Sequence, residues 1–236
     1  MKTELERFQL SEFSEDYRLN NLFKLIPKHK GSAFDIGTGN AHIYKFLKGI
    51  YCPIVLSDIS PVIVRKIRKL LKNDSCVKVV IIDISKYVSK IKVDLITAFD
   101  VIEHVEEDEN ALKNIHSSLN QNGNLLLSVP AHPFLFGKRD LKYGHFRRYS
   151  KRELHQKLKY AGFSNIRIYY WNLIGVIPYF LFEKVFKKEL NSIARKNNKT
   201  FLGKATNRLL FIVLSLETKI YTRLPFGLTL IAKASK

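Results

Sequence analysis

Ser32-Ala33-Phe34-Asp35-Ile36-Gly37-Thr38-Gly39-Asn40-Ala41-His42 reads as a short apolar strand running straight into a glycine-rich turn. Glycines at 37 and 39 let the backbone turn tightly and approach a ligand without interference from a Cβ. Ile43, Phe46 and Leu47 then take up the spacing of a helical apolar face. Strand, glycine turn and helix in this order make a site for a nucleotide-like ligand. A second acid supports the reading: Asp58 closes the apolar run Ile54-Val55-Leu56, 23 residues beyond Asp35, about where a ribose-binding carboxylate is expected.

The pattern departs from the dinucleotide fingerprint, because the turn lacks the third glycine and Asp35 precedes the first. A carboxylate there repels a pyrophosphate and suits a ligand that is cationic or rich in hydroxyls. A sulfonium cofactor with an amino-acid ammonium has that character. Taken together, Asp35-x-Gly37-x-Gly39, Asp58, Asp83 after a third strand and Phe99-Asp100-Val101-Ile102-Glu103-His104 after a fourth resemble a class I S-adenosylmethionine-dependent methyltransferase. The likeness is to the type 11/12-like, small-molecule branch and covers roughly residues 30 to 170. Leu224-Pro225-Phe226-Gly227-Leu228-Thr229-Leu230 resembles the final strand of many such enzymes.

The resemblance implies roles. Asp35, Gly37 and Gly39 would hold the methionine portion of S-adenosyl-L-methionine, Asp58 the ribose hydroxyls and Asp83 the adenine amine. Ile59 and Ile84 would flank the adenine ring, while Phe99 and Asp100 would line the passage to the acceptor. Each aspartate also has an ordinary reading as a helix cap or turn acid. Methyl transfer mainly requires that donor carbon and nucleophile be held in line, and a base is needed only for an acceptor that starts protonated. His104, His132 in Pro130-Ala131-His132-Pro133 and His145 in Gly144-His145-Phe146-Arg147-Arg148 fall where acceptor-site residues would lie. Arg147 and Arg148 would suit an anionic group on the acceptor, or simply form a basic surface turn.

Other chemistries fit less well. Only Cys52 and Cys76 are present, without a CxxC or CxxxCxxC spacing, which argues against a zinc ribbon or a radical iron–sulfur cluster; no metal ligands are assigned, and the two cysteines read as structural thiols ahead of a disulfide, although each lies just before a strand and those strands should be neighbours. The charged start Met1-Lys2-Thr3-Glu4-Leu5-Glu6 is unlike a signal peptide, and the longest apolar run, Leu173 to Phe182, is 10 residues, about half a membrane span. A cytoplasmic enzyme is expected.

Strands are expected near 33–36, 54–58, 77–83, 93–98, 124–129, 165–171 and 228–234. The first five are separated by helix-length connections, which implies a mostly parallel sheet. Ser60-Pro61 and Ser150-x-x-Glu153 mark helix starts, Gly162 a helix end, and Asn122-Gly123 a turn before the fifth strand. The family likeness completes this as a Rossmann-like, doubly wound α/β fold with seven strands in the order 3-2-1-4-5-7-6, strand seven antiparallel. One domain spans 1–236: a helical lead-in (1–30), the Rossmann-like core (31–171), a helical insertion (172–225) and the last strand (226–236).

The insertion carries two apolar segments, Trp171 to Phe186 broken at Pro178 and Leu209 to Leu216, around a polar stretch, Asn191 to Thr200, read as a mobile loop. Such helices cap the sheet as core, pair with another subunit, or lie on a membrane interface. Residues 138–236 hold 22 of the 40 Lys/Arg and 5 of the 21 Asp/Glu, so nearly all of the net charge of +19 lies behind the cofactor-binding half. This suits an anionic membrane surface at the inner face or a polyanion, or is simply a solvated basic face. The leading reading is methyl transfer, O-methylation favoured, to a small-molecule or lipid-like acceptor with an anionic head. RNA or protein methylation ranks below it, since no Asn/Asp-Pro-Pro-aromatic run follows the fourth strand. A non-catalytic, membrane-associated binding module is the third reading.

Overall fold

The computed structural model describes residues 17–87, 91–181, 185 and 201–236. Strands β1 (Gly31–Ile36), β2 (Tyr51–Asp58), β3 (Val77–Ile81), β4 (Val93–Phe99) and β5 (Leu119–Pro130) run parallel. With β6 (Ser164–Trp171) and β7 (Thr229–Ser235) they form one seven-stranded sheet in the order β3-β2-β1-β4-β5-β7-β6, β7 antiparallel to both neighbours. Order and direction are those expected.

Period-two alternation sends neighbouring strand residues into two separate cores. Phe34, Ile36, Ile96, Ala98, Leu125 and Leu127 pack on one face with α4 (Asp108–Ser117) and α6 (Lys151–Tyr160). Ala33, Ile54, Leu56, Leu95, Leu126 and Ile231 pack on the other with α1 (Tyr17–Phe23), α3 (Pro61–Leu70) and α8 (Phe201–Ile220). Helix α3 shows why these segments are helices: Ile63, Val64 and Ile67 are buried at one-turn spacing, and Pro61 occupies its first position. Short α2 (Tyr44–Leu47), α5 (Lys138–Tyr143) and α7 (Val176–Phe180) complete the described helices longer than a single turn of 3₁₀ type. Covered on both faces, the sheet offers ligands the carboxyl ends of its strands, beside the β1/β4 switch point.

Several local expectations are corrected. Asn122-Gly123 lies within β5, not before it: the strand begins at Leu119, its register against β4 slips between Val93 and Leu95, and Asn122 takes φ +63° there. Cys52 and Cys76 are joined in a disulfide rather than left as thiols, because β2 and β3 are neighbours and place their Cα atoms 5.2 Å apart. Ser60 makes no side-chain cap bond, whereas the Ser150 hydroxyl accepts the Glu153 N–H as expected. The last strand starts at Thr229, with Leu224 to Leu228 leading into it. The stretch Asn191–Thr200, most of the segment after Leu181, and residues 1–16 lie outside the described residues.

Helix α8 is capping core along one side. Leu214 and Glu217 are buried, Trp171 Nε1 donates to Thr218 Oγ1 (3.1 Å), and the Glu217 carboxylate accepts the N–H groups of Leu173 and Ile174 (2.9 and 3.0 Å). It also rests on α1, where Asn21 Nδ2 donates to Phe211 O and Lys24 Nζ to Ser215 Oγ. Its other side leaves Leu209, Ile212, Leu216 and Ile220 exposed. No helix among the described residues is long and apolar enough to cross a membrane.

Candidate active site

The β1 turn is built as its sequence demands. Gly37 and Gly39 take φ +68° and +53°, and a Cβ on Gly37 would stand 2.5 Å from Val101 Cγ2. Two buried carboxylates flank the turn. Asp35 Oδ1 accepts a 2.6 Å bond from Thr97 Oγ1, and burial pushes its carboxyl up to about 7, with the Asp58 charge adding to the shift against the hydroxyl bonds. Asp58 ends β2 with Oδ2 accepting the Gly39 N–H (3.0 Å) and Oδ1 the Ser60 N–H (2.9 Å), so it fixes the turn's path. After β3, Asp83 Oδ1 accepts from Ser85 N–H and Oγ–H; the hydroxyl bond leads in holding its carboxyl low. Ile59 is two-thirds exposed, while Ile84 is buried in the core.

A second polar corner follows β4. Phe99 packs edge-on against Phe23 of α1, and Asp100 takes φ +54°. Asp100 Oδ1 accepts from Ser128 Oγ (2.8 Å) and its Oδ2 is ion-paired with Arg18. Burial pushes this carboxyl up, but Arg18 outweighs it and holds the group below the usual range. Glu103 is 1% exposed, its Oε2 has no hydrogen-bond partner, and burial with the Asp100 charge raises its carboxyl well above normal. His104 Nδ1 lies 3.2 Å from Gly144 O; burial, then His145, lowers the ring to about 4, so it is neutral at pH 7. The His145 ring stands edge-on to it at 4.6 Å, its Nδ1 2.8 Å from Asp140 Oδ1. Asp140, 1% exposed, is pinned in turn by Arg148 Nε (2.8 Å) and the Tyr179 hydroxyl (3.1 Å).

A family model described as a methyltransferase domain matches residues 9–168, more than half of the chain. The chain belongs to that methyltransferase family. It is a transferase of the class I, S-adenosylmethionine-dependent kind. No curated protein matches it. Among solved structures it is similar to a Haloferax volcanii methyltransferase complexed with the Trm112 activator, at 13% identity and TM-score 0.64, over 100% of this chain and 98% of that one. It is also similar to phosphoethanolamine N-methyltransferase 2 of Haemonchus contortus (16% identity, TM-score 0.63, 94% of this chain and 53% of that one). A third is the N-methyltransferase NodS of Bradyrhizobium japonicum WM9 with S-adenosyl-L-homocysteine (15%, TM-score 0.57, 70% of this chain and 86% of that one). At these identities the likeness is one of fold.

The residues of this methyltransferase fit its cofactor. The turn leaves no space for a Cβ at Gly37, and the two buried acids beside it complement a cationic, hydroxyl-bearing ligand. Of the three histidines singled out in the sequence, His104 and His145 stand together. His132 lies elsewhere, at φ +65°, with its ring stacked on Phe226 (3.8 Å) and Tyr170 (5.1 Å). Arg147 and Arg148 turn inward, onto Asp108 and Asp140 respectively. Sequence reasoning assigned no role to Glu103, Asp140, Arg18, Thr97 or Tyr179. Glu103 stood inside a motif already quoted, and Asp140 lies five positions before His145; Arg18 meets Asp100 from 82 positions away, Thr97 meets Asp35 from 62 and Tyr179 meets Asp140 from 39, which no local pattern signals.

Proposed function

We propose that this enzyme transfers the methyl group of S-adenosylmethionine to a hydroxyl oxygen on a small-molecule or lipid-like acceptor. The observation that carries the acceptor class is the corner of Glu103, His104 and His145 beside Asp100. A hydroxyl starts protonated and needs activation, and this corner holds two imidazoles with their δ nitrogens already engaged. Bound in the β1 turn, the cofactor supplies an already activated methyl group. Asp35, Gly37 and Gly39 hold its methionine end, Asp58 accepts the ribose hydroxyls through lone pairs left on its two oxygens, and Asp83 meets the adenine amine. Ile59, exposed at the rim, covers one side of the adenine; Ile84 supports the other from the core. Phe99 and Asp100 separate donor from acceptor, and the corner orients the acceptor oxygen and draws off its proton. His132, stacked on Phe226 and Tyr170 away from this corner, takes no part in that step.

Amines are the competing acceptor class, since two of the similar structures are named N-methyltransferases. A lipid-like acceptor is favoured by the exposed apolar side of α8 and by the basic balance of residues 138–236. The same features support a cytoplasmic enzyme working peripherally at an anionic membrane face. The test is release of S-adenosylhomocysteine with matched panels of hydroxyl and amine acceptors, free and in anionic vesicles. Turnover of hydroxyl acceptors, lost in His145→Ala with cofactor affinity kept, is expected. Turnover confined to amines overturns the assignment.

A further inference from the structure

We propose that Glu103, His104 and His145 bind a divalent transition-metal ion, with zinc as the best match to the donor set. The inference deepens the reading of this corner as the place where the acceptor oxygen is activated, and rests on it for what the ion would do. One ligand atom from each of the three residues lies within 4.8 Å of the others, and no other group of three such residues among the described ones does so.

Proximity alone would say little, because acidic and histidine side chains often cluster at surfaces. Three further observations point to an ion. First, Glu103 is 1% exposed and its Oε2, buried, accepts from no donor. A buried carboxylate oxygen without a partner is costly, and a cation is the partner that a carboxylate takes most strongly. Second, both rings are held as metal-ligating histidines are. Nδ1 of His104 faces Gly144 O at 3.2 Å and Nδ1 of His145 faces Asp140 Oδ1 at 2.8 Å. Each contact calls for a proton on Nδ1, which leaves the Nε2 lone pair for a ligand bond. A backbone carbonyl and a carboxylate behind the two imidazoles are the usual outer partners of such ligands. Asp140 is itself fixed by Arg148 and Tyr179, so the second ring is doubly braced.

Third, the local charges leave room for a cation. Asp100 is answered by Arg18 and Asp140 by Arg148. Glu103 has no ion-pair partner among the described residues. Two nitrogens and one oxygen suit zinc, cobalt or iron(II) far better than magnesium or calcium, which prefer all-oxygen shells. Three protein ligands also leave a coordination position open. An acceptor hydroxyl taking that position would lose its proton to water, and its oxygen would form the new O–CH₃ bond as the S–CH₃ bond breaks. The bonding pair of that bond goes to sulfur, which leaves as a neutral thioether.

The test uses the full chain, stripped of metal with a chelator that is then dialysed away, and titrated calorimetrically with zinc and separately with magnesium. Expected are one zinc per chain, little or no magnesium binding, and zinc affinity at least about tenfold lower in both Glu103→Gln and His145→Gln. Circular dichroism confirms that each variant is folded, and should Glu103→Gln fail to fold, His104→Gln takes its place. Loading with cobalt(II) should give the visible bands of a nitrogen-ligated site, absent from the variants. No stoichiometric zinc, or zinc held equally by wild type and variants, overturns the site. Methyl transfer to hydroxyl acceptors that persists in chelator with no metal bound would sink the ion while leaving the proposed function standing. Zinc bound at this corner in an enzyme that methylates only amines would do the reverse.

Discussion

Gly37 and Val101 close on each other so tightly that a methyl group on the glycine would sit 2.5 Å from Val101 Cγ2. The clash comes on top of φ +68°, a conformation that L side chains rarely adopt. Gly37→Ala should therefore cost about 1–3 kcal/mol of stability and weaken cofactor binding. Gly37→Ala/Val101→Ala should recover part of the loss, namely the steric share, and no more. Thermal unfolding of the two variants separates the shares; equal instability of single and double variant would show that the backbone alone is at fault.

Asp35 should give cofactor binding a pH dependence near neutrality. Its carboxyl, pushed up to about 7 by burial, is largely neutral below that pH, while a cationic ligand prefers it ionised. Affinity for S-adenosylmethionine is expected to fall as pH drops from 8 to 6, and Asp35→Asn should flatten the profile. Stability runs the other way. In the unfolded chain the same carboxyl ionises near 4, so between roughly pH 4 and 7 the folded state holds the extra proton and loses stability as pH rises. The total is at most about 4 kcal/mol, reached above pH 7. Asp35→Asn, which keeps an acceptor for Thr97, should melt higher than wild type at pH 8 and closer to it at pH 4.

Asp58→Ala should weaken cofactor binding by about 1–3 kcal/mol, the range for buried polar partners left unmet. It removes the acceptor for Gly39 N–H as well as the proposed contact with the ribose. Calorimetry with S-adenosylmethionine and with free methionine distinguishes these effects: loss for the whole cofactor but not for methionine supports a ribose contact. Unchanged affinity for both in a folded variant would remove Asp58 from the site.

The Cys52–Cys76 bond ties β2 to the edge strand β3 across a separation of 24 residues. Closing a loop of that length in the unfolded chain is worth about 3.4 kcal/mol in the chain-entropy account. Cys76→Ser should lower stability by about that amount, and added reductant should bring wild type to the level of the variant. A Tm insensitive to reductant would show that the cysteines are not paired in solution.

Much of this architecture was legible in the residues themselves. The glycine turn, the acids closing successive strands and the alternation of apolar runs with helix signals mark the parallel half of the sheet, because each is a local pattern. The ends of elements were less legible. Asn122-Gly123 has the composition of a turn, yet pairing with β4 at Leu119 before it and from Asn124 after it keeps it inside β5 as an irregularity. The cysteines show the same limit, since pairing depends on strand neighbours that are 24 residues apart. At the site, Arg18 and Asp100 are 82 positions apart, and Tyr179 meets Asp140 from 39 away. Only the fold brings such pairs into register. His132 had the right neighbours in sequence, but stacking with Phe226 and Tyr170 decides its place.

Arg18→Ala should reveal how much of the acceptor corner depends on the first helix. Asp100 would lose its cation while keeping Ser128, and its carboxyl should rise from its present depressed value. A loss of about 1–3 kcal/mol in stability is expected at pH 7, shrinking as Asp100 is protonated at low pH. Denaturant melts at pH 7 and pH 4 measure this; a loss independent of pH would mean that Arg18 contributes packing and not charge.

Arg18, Asn21 and Lys24 recur every third residue along α1 and just past its end; the first holds Asp100, the other two hold Phe211 and Ser215 of α8. One short stripe therefore answers to two masters. Sliding α8 along its bed by a single helical turn, about 5.4 Å, would drag that stripe off register and pull at the guanidinium on Asp100. The seating of α8 and the ion pair beyond β4 thus share one support, the short helix α1.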